Sequence, residues 1–341
     1  MTKLVIAVTA ACIAVLASAL RPSANVMDVP LPLRVISDVT AKPANKALGN
    51  QTPRMDYESI DPIRRMLYVA YLGANEVIAF NLDTNKVVAH ISGLPGVHGV
   101  LAISDLSRLY ASATASDQVV SIDERSLAIT ARTAGGDYPD GIAYDRDDHR
   151  IFVSDEHGGT DTVVDVRSNK TVDTIDVGGE TGNTQYDPVS RRIYSDVQSR
   201  SDIVVIDPKT DKVVARHALP GCVHDHGLQL DVPRRLAFVA CDGNARLLLV
   251  DLTNWSVLST NEVGEDPDVI AFDPGLRRLY IAAESGVVAV FEENDRSLRS
   301  LGKAFLAEGA HTVAVDPKSH RVYFALQTIA GRAVIRVLAP K

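Results

Sequence analysis

The chain has 341 residues, 46% hydrophobic and 23% charged, an ordinary globular composition with ample material for a large core. Its formal net charge is −8 and its isoelectric point about 5.6. Bulk charge therefore argues against a nucleic-acid or anionic-membrane footprint, and no nucleic-acid partner is expected.

The first element in chain order is "MTKLVIAVTAACIAVLASALRPS". Lys3 is a short positive region, Leu4 to Leu16 is an apolar run, and "ASA" at 17–19 is a small-residue cleavage site, so residues 1–19 read as a signal peptide. The run is too short to span a bilayer comfortably, and no transmembrane segment is expected after its removal. A periplasmic or secreted destination follows. Cys12 offers a lipoprotein alternative, although "TAAC" lacks the usual Leu three residues before the Cys. Residues 20–30, with their prolines, read as a linker, and 31–43 ("LPLRVISDVTAKP") as an isolated strand-like run.

Repeats follow. The segments "DPIRRMLYVA", "ISDLSRLYAS", "DRDDHRIFVS", "DPVSRRIYSD", "DVPRRLAFVA", "DPGLRRLYIA" and "DPKSHRVYFA" align without gaps. Their aromatics, Tyr68, Tyr110, Phe152, Tyr194, Phe238, Tyr280 and Tyr323, are spaced 42, 42, 42, 44, 42 and 43 residues apart. Seven residues before each stands Asp61, Ile103, Asp145, Asp187, Asp231, Asp273 or Asp316, so only the second copy breaks the Asp pattern. Each copy divides into four short β-branched runs separated by Asx, Pro and Gly turns. Four strands per repeat in seven repeats predict an all-β, seven-bladed β-propeller over residues 31–341. The last copy is one strand short, and residues 31–43 are expected to supply it and close the ring.

The motifs "RRMLYVA", "RRIYSD" and "RRLYIA", with the turns "DTNKVV" and "DPKTDKVV", resemble the YVTN family of seven-bladed propellers over almost the whole mature chain. The resemblance implies the fold strongly and the function hardly at all, because such propellers include binding proteins, enzymes and surface-layer components. In resembling propellers the ligand usually sits on the face where the chain enters the channel-lining strand of each blade.

Five residues before each repeat Asp, at that entry, stand Asp56, His98, Asp140, Gly182, His226, Asp268 and His311, with Asn183 following the lone glycine. Nine histidines in the chain predict about 0.2 at seven random positions, against three found. This ring, with His224 just upstream of His226, is the expected channel mouth. Alternating carboxylates and imidazoles could simply satisfy one another. They could equally hold an organic ligand or a divalent transition metal, for which His98, His226, Asp268 and His311 supply suitable donors in subsets. His157 and Glu284 are expected on the outer rim of the same face.

The stretch "GCVHDHG" (221–227) carries Cys222, and Cys241 follows the second strand of the same blade. An even pair in an exported chain favours a Cys222–Cys241 disulfide, with free thiols and metal ligation as alternatives. Two function classes remain open. One is an exported binding or scaffold protein that holds a small molecule, metal or protein partner at the mouth. The other is a metal-assisted lyase, lactonase or oxidoreductase using the same residues.

Overall fold

The computed structural model describes residues 29–44 and 53–341. The signal peptide and all but the last two residues of the linker lie outside the described residues. Among the described residues no helix is long and apolar enough to cross a membrane.

Seven four-stranded antiparallel sheets form a propeller, and in the first six the sheet order equals the chain order. Blade 1 is Glu58–Asp61, Met66–Tyr71, Glu76–Asn81 and Lys86–Ser92 from the inside out. The innermost strands of blades 2 to 7 are Val97–Ile103, Pro139–Asp145, Thr184–Asp187, Asp225–Asp231, Pro267–Asp273 and Ala314–Val315. Blade 7 has only three strands from the C-terminal end of the chain, and Leu33–Thr40 pairs antiparallel with Arg332–Pro340 as its fourth, outermost strand. The expected closure by the N-terminal strand is therefore observed. Asp38 and Arg336 clasp this seam with two hydrogen bonds of 2.7–2.8 Å. Before entering it, Val29 bridges Lys303 on the outer strand of blade 6.

Hydrophobic pattern explains the layering. Second and third strands are sandwiched between neighbouring blades, so they are apolar on both faces; Leu236–Cys241 is buried throughout. Outer strands have one wet face and alternate, as in Lys212–Ala218. All seven repeat aromatics are buried between blades.

The repeat Asp closes the turn after the innermost strand. Asp61 Oδ1 accepts the Ile63 and Arg64 amides, and Asp273 Oδ1 accepts those of Gly275 and Leu276. Four residues after the Asp position, Arg65, Ser107, His149, Arg191, Arg235, Arg277 and His320 all have positive φ. Three of these reach back to the Asp of the preceding blade: Arg65 to Asp316, Arg235 to Asp187 and His320 to Asp273. The motif that repeats in sequence thus also latches blade to blade.

Candidate functional site

Each ring residue stands where the innermost strand leaves its ladder. In blades 2, 3, 5 and 6 the pairing with the second strand shifts at Val97/Val100, Pro139/Ile142, Asp225/Gly227 and Pro267/Ile270. Bulges of this kind re-aim side chains, and these lie at His98, Asp140, His226 and Asp268. The glycine after two of them sets the blade spacing. A Cβ on Gly99 would lie 2.1 Å from the Asp140 carbonyl oxygen, and one on Gly227 would lie 2.1 Å from that of Asp268.

The upper mouth is a cavity of about 210 Å³ lined by Asp56, His98, Asp140, His224, His226 and Asp268, all expected from the sequence. Its remaining wall holds Arg54, Tyr57, Tyr138, Glu156, Gln198, Asp242, Asp266, Pro267 and Glu284. Two expected residues lie elsewhere. Asn183 lines a separate, lower channel cavity of about 380 Å³. His311 is fully buried behind the mouth wall.

Tyr57 borders both cavities. Its hydroxyl accepts a 2.9 Å hydrogen bond from Asn183 Nδ2 in blade 4 and lies 3.4 Å from Asp140 Oδ2 in blade 3. One side chain from blade 1 therefore forms the floor of the mouth.

The expected alternation of acid and imidazole is made only in part. His226 Nε2 stands 3.2 Å from Asp268 Oδ1, while Nδ1 meets Gln198 Oε1 at 2.9 Å. His311 Nε2 is 4.0 Å from Asp56, and its Nδ1 faces Glu284 Oε2 at 3.1 Å. His98 pairs with no ring carboxylate. Its Nδ1 meets the Gly96 carbonyl at 2.8 Å and its Nε2 the Tyr138 hydroxyl at 3.0 Å, because Tyr138 stands between blades 2 and 3. Among the residues expected to supply donors in subsets, His98 thus stands apart from His226, Asp268 and His311.

What does converge is Asp268, Glu284 and His311, each with a donor atom within 4.8 Å of the others. Glu156, His157 and Glu180 form a second such group on the more exposed rim. Burial opposes charge on His226, but the close approach and charge of Asp268, then Asp140 and Glu156, raise its pKa to about 10. Burial likewise opposes charge on His311, and Glu284, Asp56 and Asp268 raise it to about 9. Asp140 moves the other way for an acid. Burial, then the neighbouring Asp56 and Glu156, push its carboxyl well above the usual range.

A second ring was readable but is less obvious. Four residues after each repeat aromatic, just past the second strand, come Leu72, Thr114, Glu156, Gln198, Asp242, Glu284 and Gln327. Four of these line the mouth. A third tier lies two residues before the first ring: Gly96, Tyr138, His224, Asp266 and Gly309 all have positive φ there. Tyr138, His224 and Asp266 occupy this glycine-like position with side chains that line the mouth, and such backbone outliers concentrate at working sites. Arg54, at the same register in blade 1, joins them.

Cys222 and Cys241 form a disulfide, Cα to Cα 5.4 Å, which ties the entry loop of blade 5 to the end of its second strand. Of the alternatives for these cysteines, the disulfide is the one found. Between them His224 Nδ1 meets Asp242 at 2.7 Å. Two further histidines are structural: His90 pairs with Glu76 and His217 stacks on Trp255 at 4.0 Å, both on outer strands.

No protein-family model matches the chain, and no curated protein matches its sequence. Among solved structures it is similar to Kuenenia stuttgartiensis hydrazine synthase, with 14% identity and a TM-score of 0.71 over 84% of this chain and 96% of that one. It is similar to U3-55K, with 12% identity and a TM-score of 0.73 over 90% of this chain and 98% of that one. The WD40 repeats of RRP9 match with 11% identity and a TM-score of 0.73, over 91% and 97% of the two chains. At these identities the likeness shows the propeller fold alone.

Proposed function

We propose that this chain is an exported binding propeller of the YVTN type, whose upper mouth takes a small cationic ligand. One observation carries the reading. Among the described residues, seven carboxyl groups (Asp56, Asp140, Glu156, Asp242, Asp266, Asp268 and Glu284) surround a cavity of about 210 Å³, against two cationic side chains, Arg54 and the raised-pKa His226. Oxygens of Asp140 and Asp268 are buried there without a hydrogen-bond partner. Such groups cost free energy unless something satisfies them. The volume lies below the range of about 300–1,000 Å³ typical of organic-ligand pockets, which favours a metal ion or a small amine over a larger molecule or a folded partner. The signal-like residues 1–19 and the disulfide both support export to an oxidising compartment.

Thermal melting of the mature chain with zinc, manganese, calcium, a short diamine, or acetate tests this. The melting temperature should rise with at least one cation and not with acetate. Stabilisation by acetate alone would overturn the reading.

Asp140 favours a second reading, a metal-assisted enzyme. Burial, then Asp56, raises its carboxyl well above the usual range, and one oxygen is unbonded beside the cavity, as suits a general acid. On this reading, replacing it by Asn would abolish turnover of a substrate.

A further inference from the structure

We infer that Asp268, Glu284 and His311 form a binding site for one divalent transition metal at the seam between blades 6 and 7. The inference rests on the cation-binding reading of the mouth and narrows it to a metal class and three ligands.

Carboxylates alone would not argue for a metal, but His311 does. Its side chain is 0% exposed, and neither ring nitrogen makes a hydrogen bond among the described residues. Nδ1 lies 3.1 Å from Glu284 Oε2 without the alignment a hydrogen bond needs. Asp268 Oδ1 is similarly buried and unbonded, although His226 stands at 3.2 Å. A buried imidazole and a buried carboxylate oxygen thus lie within 4.8 Å of each other, neither with a satisfied partner, which is costly unless something bridges them.

The surroundings match what metal ligands require beyond the first contact. A ligating histidine commonly turns its second nitrogen to a carboxylate, and a ligating carboxylate is itself held. His311 Nε2 faces Asp56 Oδ2 at 4.0 Å. Arg54 holds Glu284 by its other oxygen, Nη2 to Oε1 at 2.8 Å, leaving Oε2 toward His311. The same guanidinium holds Asp56 Oδ2 at 3.3 Å, so ligand and outer partner are fixed together. Asp268 is flanked by His226, itself pinned by Gln198. The three donor atoms all lie within 4.8 Å of one another, with His311 Nδ1 and Glu284 Oε2 at 3.1 Å, close enough to share one ion with bonds of about 2.0–2.2 Å after small side-chain adjustment.

One nitrogen with two carboxylate oxygens suits zinc or manganese, and disfavours calcium, which takes six to eight oxygens. His98 is left out because Tyr138 and the Gly96 carbonyl occupy both its nitrogens. The rim group Glu156–His157–Glu180 is the competing site, but it has no buried unpartnered nitrogen.

The test is titration calorimetry of tag-free mature chain with zinc and with manganese, beside Glu284→Gln, Asp56→Asn and Glu180→Gln. Glu284 is half-exposed, so its amide variant should fold, and a melting curve verifies this for each protein. One metal per chain is expected. Affinity should fall at least tenfold in Glu284→Gln, about 10–100-fold in Asp56→Asn, and not at all in Glu180→Gln. Loss in Glu180→Gln with retention in Glu284→Gln would place the metal on the rim and overturn the assignment. Unchanged metal affinity in both would overturn it while leaving the mouth reading intact. Binding of a diamine without metal would sink only the metal inference; binding of neither would sink both.

Discussion

Tyr57 and Asn183 stand 126 residues apart in sequence, yet their side chains meet at 2.9 Å across the channel. The contact links blade 1 to blade 4 and separates the mouth from the lower channel. Replacing Tyr57 by Phe keeps the ring but removes the hydroxyl that accepts from Asn183 and approaches Asp140. A loss of about 1–3 kcal/mol in urea unfolding is expected, because buried polar groups lose a partner. Unaltered stability would mean the tie is structurally idle.

Gly227, like Gly99, marks a point of very close blade approach. With a Cβ placed 2.1 Å from the Asp268 carbonyl oxygen, Gly227→Ala must push blades 5 and 6 apart. Overpacking of this kind costs about 1–3 kcal/mol. It should also move Asp268 away from His226, so the imidazole pKa, followed by NMR, should drop from its raised value of about 10. A variant that melts and titrates like the parent would show that the backbone yields there freely.

The disulfide closes a short loop, with its cysteines 19 positions apart. Loop entropy assigns it about 3 kcal/mol, so Cys222→Ser with Cys241→Ser should lower unfolding free energy by that order. Reductant should produce the same loss in the parent and none in the double variant. Equal loss in both would trace the effect to something other than the cross-link.

Asp196 and Asp225 are fully buried, and none of their carboxylate oxygens has a hydrogen-bond partner among the described residues. Burial pushes both upward, Asp225 to about 8, and the charge of Asp225 adds to the rise at Asp196. Their unfolded values lie near about 3.9. Between these limits the native state binds more protons than the unfolded chain, so this pair's contribution to stability falls as pH rises from about 4 to about 8. In Asp196→Asn the amide can donate to an ionised Asp225, and that fall should shrink. Urea unfolding at pH 5 and pH 8.5 checks it: the parent should lose more stability than the variant, and parallel losses would refute the role of this pair.

The fold was legible because its information is local and repeated seven times. Asp61, Asp145, Asp273 and Asp316 accept amides two and three residues ahead, and each repeat aromatic fills the same gap between sheets, so one alignment displays the whole architecture. The strand 31–43 could be paired with the last blade by counting alone. The ring was legible in register for the same reason, since equal positions in equivalent blades reach equal places.

Partnership within the mouth was not legible. Register lists His98 and His226 as equivalents, yet a tyrosine two residues before Asp140 captures one, and a glutamine from the neighbouring blade holds the other. His311 shares their register but is buried behind the wall, where Glu284 and Asp56 face it. The second ring containing Glu284 and Glu156 was open to the same counting as the first. It carried less signal, because Leu72, Thr114 and Gln327 dilute its charge.

Sequence by itself determined the seven blades, their strand order, the closure by the first strand and the face on which acids and imidazoles gather. All of these follow from turn chemistry and hydrophobic period repeated at fixed spacing. Tertiary structure alone decided that Tyr57 floors the mouth, that His98 stands apart, and that Asp268, Glu284 and His311 converge. Those outcomes depend on blade-to-blade contacts and bulge geometry at ångström scale. A repeat period sets which residues share a height on the ring, whereas side-chain reach and packing set which of them touch.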